Sequence, residues 1–165
     1  MTEPTPPAVH TLPPEARWLF HARALVGFAM GLGPATVAAA FLTSLALGPT
    51  RALIGGAIVL LAELLYTLWW PSLSYERFSW ELRADALIVS SGVWWRERTA
   101  IPLGRVQHVD VRQGPLERWM SLSRVHVYTA SGGWADGVVP AMRTPDAEGL
   151  RDELVARAGR GDDGV

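Results

Sequence analysis

Cysteine is absent from the 165-residue chain, and so is lysine: all 15 basic residues are arginine. Lack of cysteine removes disulfides, a thiolate nucleophile and cysteine-ligated metals together, and fits a reducing compartment. The all-arginine usage reads as codon bias rather than chemistry. A net charge of −1 leaves no global attraction toward nucleic acid or acidic lipid. Charge is missing locally as well. Ala24 to Thr50 contains no Asp, Glu, Lys, Arg or His, and from Ala52 to Tyr75 the one charged residue is Glu63.

Crossing ~30 Å of hydrocarbon takes ~20 apolar residues, and both runs are long enough. The predicted spans are about 24–47 and 52–70, joined by Gly48-Pro49-Thr50-Arg51. So short a link makes them an antiparallel hairpin. Two successive spans do not resemble a cleaved signal peptide, and unbroken runs of this length favour lipid over a buried helical hairpin in a soluble core. Trp18 and Phe20 before the first span and Tyr66, Trp69, Trp70 and Tyr75 at the end of the second form an aromatic belt at one interface. Arg17, Arg23 and Arg77 flank that side against Arg51 in the far loop, so the positive-inside rule places both termini in the cytoplasm of a cell-membrane protein.

Small residues suggest how the spans pack. Gly27 and Gly31 are expected opposite Tyr66 to Trp70, and Gly55 and Gly56 opposite Phe41 to Ser44, small against large. The same residues could instead serve dimerisation. Glu63 is costly at mid-span and needs a partner or a proton. The local solution is a protonated Glu63 bonded to Thr36, or to the Met30 carbonyl, which Pro34 leaves without its helical donor. The alternatives are a contact with another membrane subunit or a proton or ion path.

From Glu76 onward the chain is charged and its period changes. Strands are predicted at 78–83, 87–91, 93–101, 108–113, 124–130 and 137–142, a spacing that points to an antiparallel sandwich or barrel. Thr144-Pro145-Asp146 then opens a helix whose apolar stripe is Ala147, Leu150, Leu154 and Ala158. The fold class is α+β: a Pro-rich flexible segment over 1–16, a two-span hairpin over 17–75, a β-domain with a capping helix over 76–158, and a disordered tail over 159–165.

One stretch is odd. Between the strands of "HVDVRQ" and "RVHVYTA" stands "GPLERWMSLS". Pro115 ends the ladder, because it has no N–H to donate. Leu116, Trp119 and Met120 then recur at helical spacing, and are expected to plug an open end of the barrel; a ligand-stacking role for Trp119 is the alternative.

This stretch carries a family resemblance. Ile101-Pro102, Arg105-Val106-Gln107, Val109, Gln113 to Leu116, Arg118, Leu122 and Thr129-Ala130 resemble the motifs of the membrane-flanked bacterial pleckstrin-homology (bPH2-type, YdbS-like) family. With "LPPEARW" and the two spans, the likeness covers about residues 12–157. It implies a pleckstrin-homology-like (PH-like) barrel or sandwich capped by one C-terminal helix, and makes a related bacterial membrane partner plausible. Two residues depart from the pattern. Ser121 stands where the family prefers glycine, so a positive φ there is strained, and Ser131 separates Thr129-Ala130 from Gly132.

No catalytic constellation is present, and no cofactor is implied. His108 and His126 with Asp110 imitate a metal site, but no third ligand stands at a recognised spacing, so they read as strand histidines. "SGGWADG" precedes a strand and has no helix N-terminus with which to cradle phosphate. Arginines only mildly outnumber acids between Arg77 and Arg124, short of a polybasic lipid-binding patch. Arg105, Gln107, Arg112 and Arg118 are candidates for a polar binding face. Trp94, Trp95, Arg96 and Arg98 are candidates for a membrane or partner contact; on a strand, Trp94 and Trp95 take opposite faces and at least one lies outside. The expected function is a membrane-anchored binding or scaffolding protein, not an enzyme, that assembles with itself, with a related bacterial PH membrane protein or with lipid head groups, and not with nucleic acid. The alternative is a small accessory subunit of a transport or export complex in which Glu63 makes a functional contact.

Overall fold

The computed structural model describes residues 8–130 and 135–162. The chain forms two compact units. One is Phe20–Leu73, and the other comprises the segments on either side of it.

The apolar unit is helical. Helix α1 (Pro14–Gly27) passes through a π-helical turn (Phe28–Leu32) into α2 (Gly33–Leu47), and α3 (Pro49–Glu76) returns. The π turn has a visible cause. Pro34 can neither donate to the Met30 carbonyl nor tolerate it closely, and the wider turn lets the Gly33 N–H reach the Phe28 carbonyl instead. Pro71 is carried inside α3 without ending it. The expected four-residue link contracts to Gly48, whose φ of 85° turns the chain between the helices at no Cβ cost. The two helices are long and apolar enough to cross a membrane. Their large side chains, among them Met30, Phe41, Leu45, Leu53 and Ile58, are exposed rather than packed into a protein core.

Small residues pack this unit differently from the expectation. A Cβ on Gly56 would stand 2.8 Å from the Ala40 Cβ, so Gly56 is where the helices meet backbone to side chain. Gly27, Gly31 and Gly55 have open space where a Cβ would be, so the pairing of Gly27 and Gly31 with Tyr66 to Trp70 is not seen. Glu63 takes the local solution: Thr36 Oγ1 donates to Glu63 Oε1 at 2.7 Å.

The other unit is built of two antiparallel sheets and a helix. Sheet A has the order β1 (Val9–Thr11), β2 (Ser79–Leu82), β3 (Ala86–Ser91), β4 (Glu97–Pro102). A 3-10 turn at Leu103–Arg105 leads to sheet B, with the order β5 (Val106–Arg112), β6 (Leu122–Thr129), β7 (Gly137–Arg143). Between β5 and β6 stands α4 (Pro115–Trp119), and α5 (Thr144–Asp162) ends the described chain. The sheets do not close into a barrel, because β4 and β5 lie in different sheets despite their short link. The alternating inner residues Leu87, Val89, Ile101, Val125, Val127 and Val139 are buried, and Ala147, Leu150 and Leu154 of α5 join them. Sheet B approaches so closely at Gly137 that a Cβ would stand 2.1 Å from the Ile101 Cδ1.

Several sequence expectations change here. The N-terminal segment is not wholly irregular, since β1 pairs with β2 through Val9↔Glu81 to Thr11↔Ser79. The last helix runs past residue 158 to Asp162. Ser131 and Gly132 lie outside the described residues. Ser121 does adopt a positive φ, of 54°. Strand β4 begins at Glu97 rather than residue 93, because Gly92, at φ 104°, turns the chain so tightly that a Cβ would lie 1.8 Å from the Trp95 carbonyl oxygen.

Candidate binding faces of the β-unit

The stretch between β5 and β6 is fastened by polar side chains. Gln113 Nε2 donates to the Leu122 carbonyl at 3.1 Å, to Ser123 Oγ at 3.0 Å and to Thr144 Oγ1 at 2.8 Å. Ser123 Oγ, fully buried, donates to Thr144 Oγ1, which itself donates to the Ser121 carbonyl. The end of β5, the start of β6 and the start of α5 thus share one network. Thr144, expected to cap its own helix, spends its hydroxyl on this junction.

Glu117 is buried, and Arg124 Nε lies 2.9 Å from its Oε1. Gly114 leaves the room: a Cβ there would be 2.6 Å from Glu117 Oε2. A helix this short can bury only one face, and Glu117 takes it. Trp119 therefore points outward and is 83% exposed, so it does not plug the sheets. Leu116 and Met120 are partly buried. The ion pair spares the Glu117 carboxylate the several kcal/mol that burial without a counter-charge would cost. Nothing in "PLER" distinguishes this Glu from a solvated one.

The outer face of sheet B carries a row of polar and aromatic groups. The register sets His108 beside Tyr128, Asp110 beside His126 and Arg112 beside Arg124. His108 stacks on Tyr128 with centroids 4.2 Å apart, and Arg112 lies over the same ring at 5.7 Å. Arg112 also donates to Asp110 at 2.7 Å, and that hydrogen bond holds the Asp110 carboxyl below its ordinary range. Burial pushes the His126 imidazole down, with Arg112 and Arg124 adding to the shift and Asp110 opposing it. Among the described residues, no group of three or more His, Asp or Glu is arranged to hold a metal.

The four polar candidates are not gathered into one patch. Arg105 and Gln107 line a cleft with His108, Val155 and Ala158, Arg112 belongs to the Tyr128 row, and Arg118 projects from α4. Trp94 and Trp95 occupy the β3–β4 loop, not a strand, and both are exposed, at 74% and 88%. Arg96 and Arg98 line a cleft of ≈ 470 Å³ with Glu76, Arg77, Ser79 and Ser90 to Gly92. Arg98 reaches Glu81 at 3.4 Å, and Arg83 donates to the same buried carboxylate at 2.7 Å. The Arg83 hydrogen bond is the main reason the Glu81 carboxyl is held below its usual range. Arg98 is thus partly committed to the fold, whereas Trp94, Trp95 and Arg96 are presented to the surroundings.

Comparisons with known proteins agree with this architecture. The family model described as Bacterial PH domain matches residues 23–158, the apolar helices included. The chain is also 31% identical over 110 residues to the UPF0699 transmembrane protein YdbS of Bacillus subtilis (strain 168), covering 67% of each chain. No solved structure matches. With two apolar helices leading into paired antiparallel sheets and a closing helix, and with the family model spanning nearly all of them, the chain belongs to the bacterial PH domain family, YdbS-like branch.

Proposed function

We propose that the protein is a two-span membrane anchor bearing a cytoplasmic PH-like module, and that it works as a scaffold. The module assembles with a second copy, with a related bacterial PH membrane protein or with lipid head groups. The orientation is supported by Arg17, Arg23 and Arg77 on one side of the spans against Arg51 on the other. The observation that carries a recognition role is the solvent-facing row on β5 and β6. His108, Tyr128 and Arg112 are stacked into a preformed surface with aromatic area and paired charge, the composition of a contact rather than a reaction centre. Glu63 is bonded locally to Thr36, so a transport-subunit role is not favoured.

The test is photocrosslinking in native membranes from probes at His108 and Arg112 of the full chain. The expected adduct joins the protein to itself or to another membrane protein of the family, or to lipid. Absence of any adduct from either position, in a chain that still inserts and folds, refutes the recognition face.

A further inference from the structure

Among the described residues, Trp94, Trp95 and Trp119 are exposed on two turns that flank strands of the β-unit, and strand registers place both turns at one end. Thr11 pairs with Ser79, Ser79 with Ser90, and Ser91 with Glu97. The β3–β4 loop with Trp94 and Trp95 therefore lies at the end of sheet A where β1 leads out to Pro14 and Glu76 leads in to β2. Only Leu12-Pro13 and Arg77-Phe78 intervene between those strands and the helices. In sheet B, α4 leads into Leu122, which pairs with Arg143. Arg143 donates to Glu15, in the first turn of α1, at 2.8 Å, and Met142 and Arg143 share a cleft with Thr11 to Pro14. Trp119 is therefore also at the end where the chain runs out to its apolar helices. Of the described turns at the other end, Arg83 to Asp85 and Leu103–Arg105 carry no aromatic residue, and Trp134, in the β6–β7 link, lies outside the described residues.

We infer that the Trp94–Trp95 loop and Trp119 are interfacial anchors that enter the head-group layer of the bilayer holding the helices, with Arg96 and Arg118 on lipid phosphates. This rests on the reading of the apolar helices as membrane spans and adds which surface of the module meets lipid. Tryptophan favours the membrane interface, where its ring is desolvated and its N–H still finds a partner. Arginine matches phosphate with two parallel hydrogen bonds. Two-residue links tether this end of the unit to the helices, so its contacts with lipid are intramolecular and weak individual ones suffice. The support under Trp119 is rigid, through the Gln113 network and the buried Glu117, so little side-chain or loop ordering opposes its insertion.

The absence of cysteine allows a clean test. Full-length Trp95→Cys, Trp119→Cys, Gln107→Cys and Leu61→Cys proteins carry one environment-sensitive fluorophore each, in vesicles of phosphatidylcholine and phosphatidylglycerol. Spin-labelled lipids serve as quenchers, with aqueous iodide as the opposing probe. Labels at 95 and 119 are expected to lose most of their emission to a shallow lipid spin label, the label at 61 to a deep one, and the label at 107 to iodide alone. If 61 is quenched from the deep position while 95 and 119 behave like 107, the anchor inference is wrong and the membrane reading stands. If 61 is not quenched by lipid, both fall. Labels at 95 and 119 that are shielded from iodide yet untouched by lipid quenchers are covered by protein, which also overturns the inference.

Discussion

Replacing Thr144 by valine keeps the side chain's shape and deletes its oxygen. That oxygen accepts from Gln113 Nε2 at 2.8 Å and from Ser123 Oγ at 3.0 Å, and its proton goes to the Ser121 carbonyl at 3.1 Å. The bonds at Gln113 and Ser121 are near solvent, so water replaces much of what they lose. Ser123 is fully buried and would keep a hydroxyl with one acceptor fewer. An intramolecular hydrogen bond is worth about 1 kcal/mol net, and a stranded buried donor costs about 1–3 kcal/mol, so the substitution should cost about 2 kcal/mol. For a domain of this size that is a fall in melting midpoint of roughly 10 °C. The assay is thermal unfolding of the full chain in detergent, with hydrogen exchange to localise the loss at the start of β6 and α5. Gln113→Ala should be less costly, and the two together less than additive, since both remove the Gln113–Thr144 bond. A Thr144→Val shift within about 0.5 kcal/mol of zero, the range of a surface substitution, or strict additivity with Gln113→Ala, would show that this network does not hold the junction.

Ser121→Gly removes the penalty of a side chain at φ 54° and should stabilise the protein by about 0.5–1 kcal/mol in chemical denaturation, less the entropy glycine gains when unfolded. The folded-state pKa of His126 lies below its unfolded value, so protonation favours unfolding: stability is flat above about pH 6.5 and declines as pH falls below it. His126→Gln should flatten the melting midpoint between about pH 6.5 and 5, before the carboxylates titrate, and an unchanged slope there contradicts the assignment. Gly56→Ala forces the helices apart at Ala40 and should cost about 1–3 kcal/mol in detergent unfolding, whereas Gly55→Ala, with open space at its Cβ, should be silent. Single cysteines at Arg51 and Gln107 should react with a membrane-impermeant maleimide from opposite sides of intact cells, Arg51 from outside; equal labelling from one side refutes the hairpin orientation.

Much of the architecture could be read from the chain because it follows from local periodicity. Nearly charge-free runs long enough to span a bilayer pointed to the apolar helices, and alternation pointed to the strands near 79–82, 86–91, 106–112, 122–129 and 137–143. Thr36 as the partner of Glu63 was legible because Pro34 and the turn at Gly48 fix which residues lie opposite. The positive φ at Ser121 was legible through the family resemblance, in which glycine is preferred at that position. The candidate site was far less so. Trp94 and Trp95 fit a strand pattern and became a loop once Gly92 turned the chain. Trp119 fitted a helical stripe, but in a helix one turn long the covered face is set by its neighbours. Arg124 across the sheet and the space above Gly114 gave that face to Glu117.

Two bilayer-length apolar helices, a β-rich unit and a closing helix follow from local patterning alone, because hydrophobic runs and repeats act over a few neighbouring residues. Folding settled the rest: the sheets stay open, Thr144 serves a junction instead of a cap, and Trp94, Trp95 and Trp119 stand at one end of the β-unit. Those outcomes depend on which distant side chains compete for the same buried space and the same hydrogen bonds, and that competition exists only once the chain has folded.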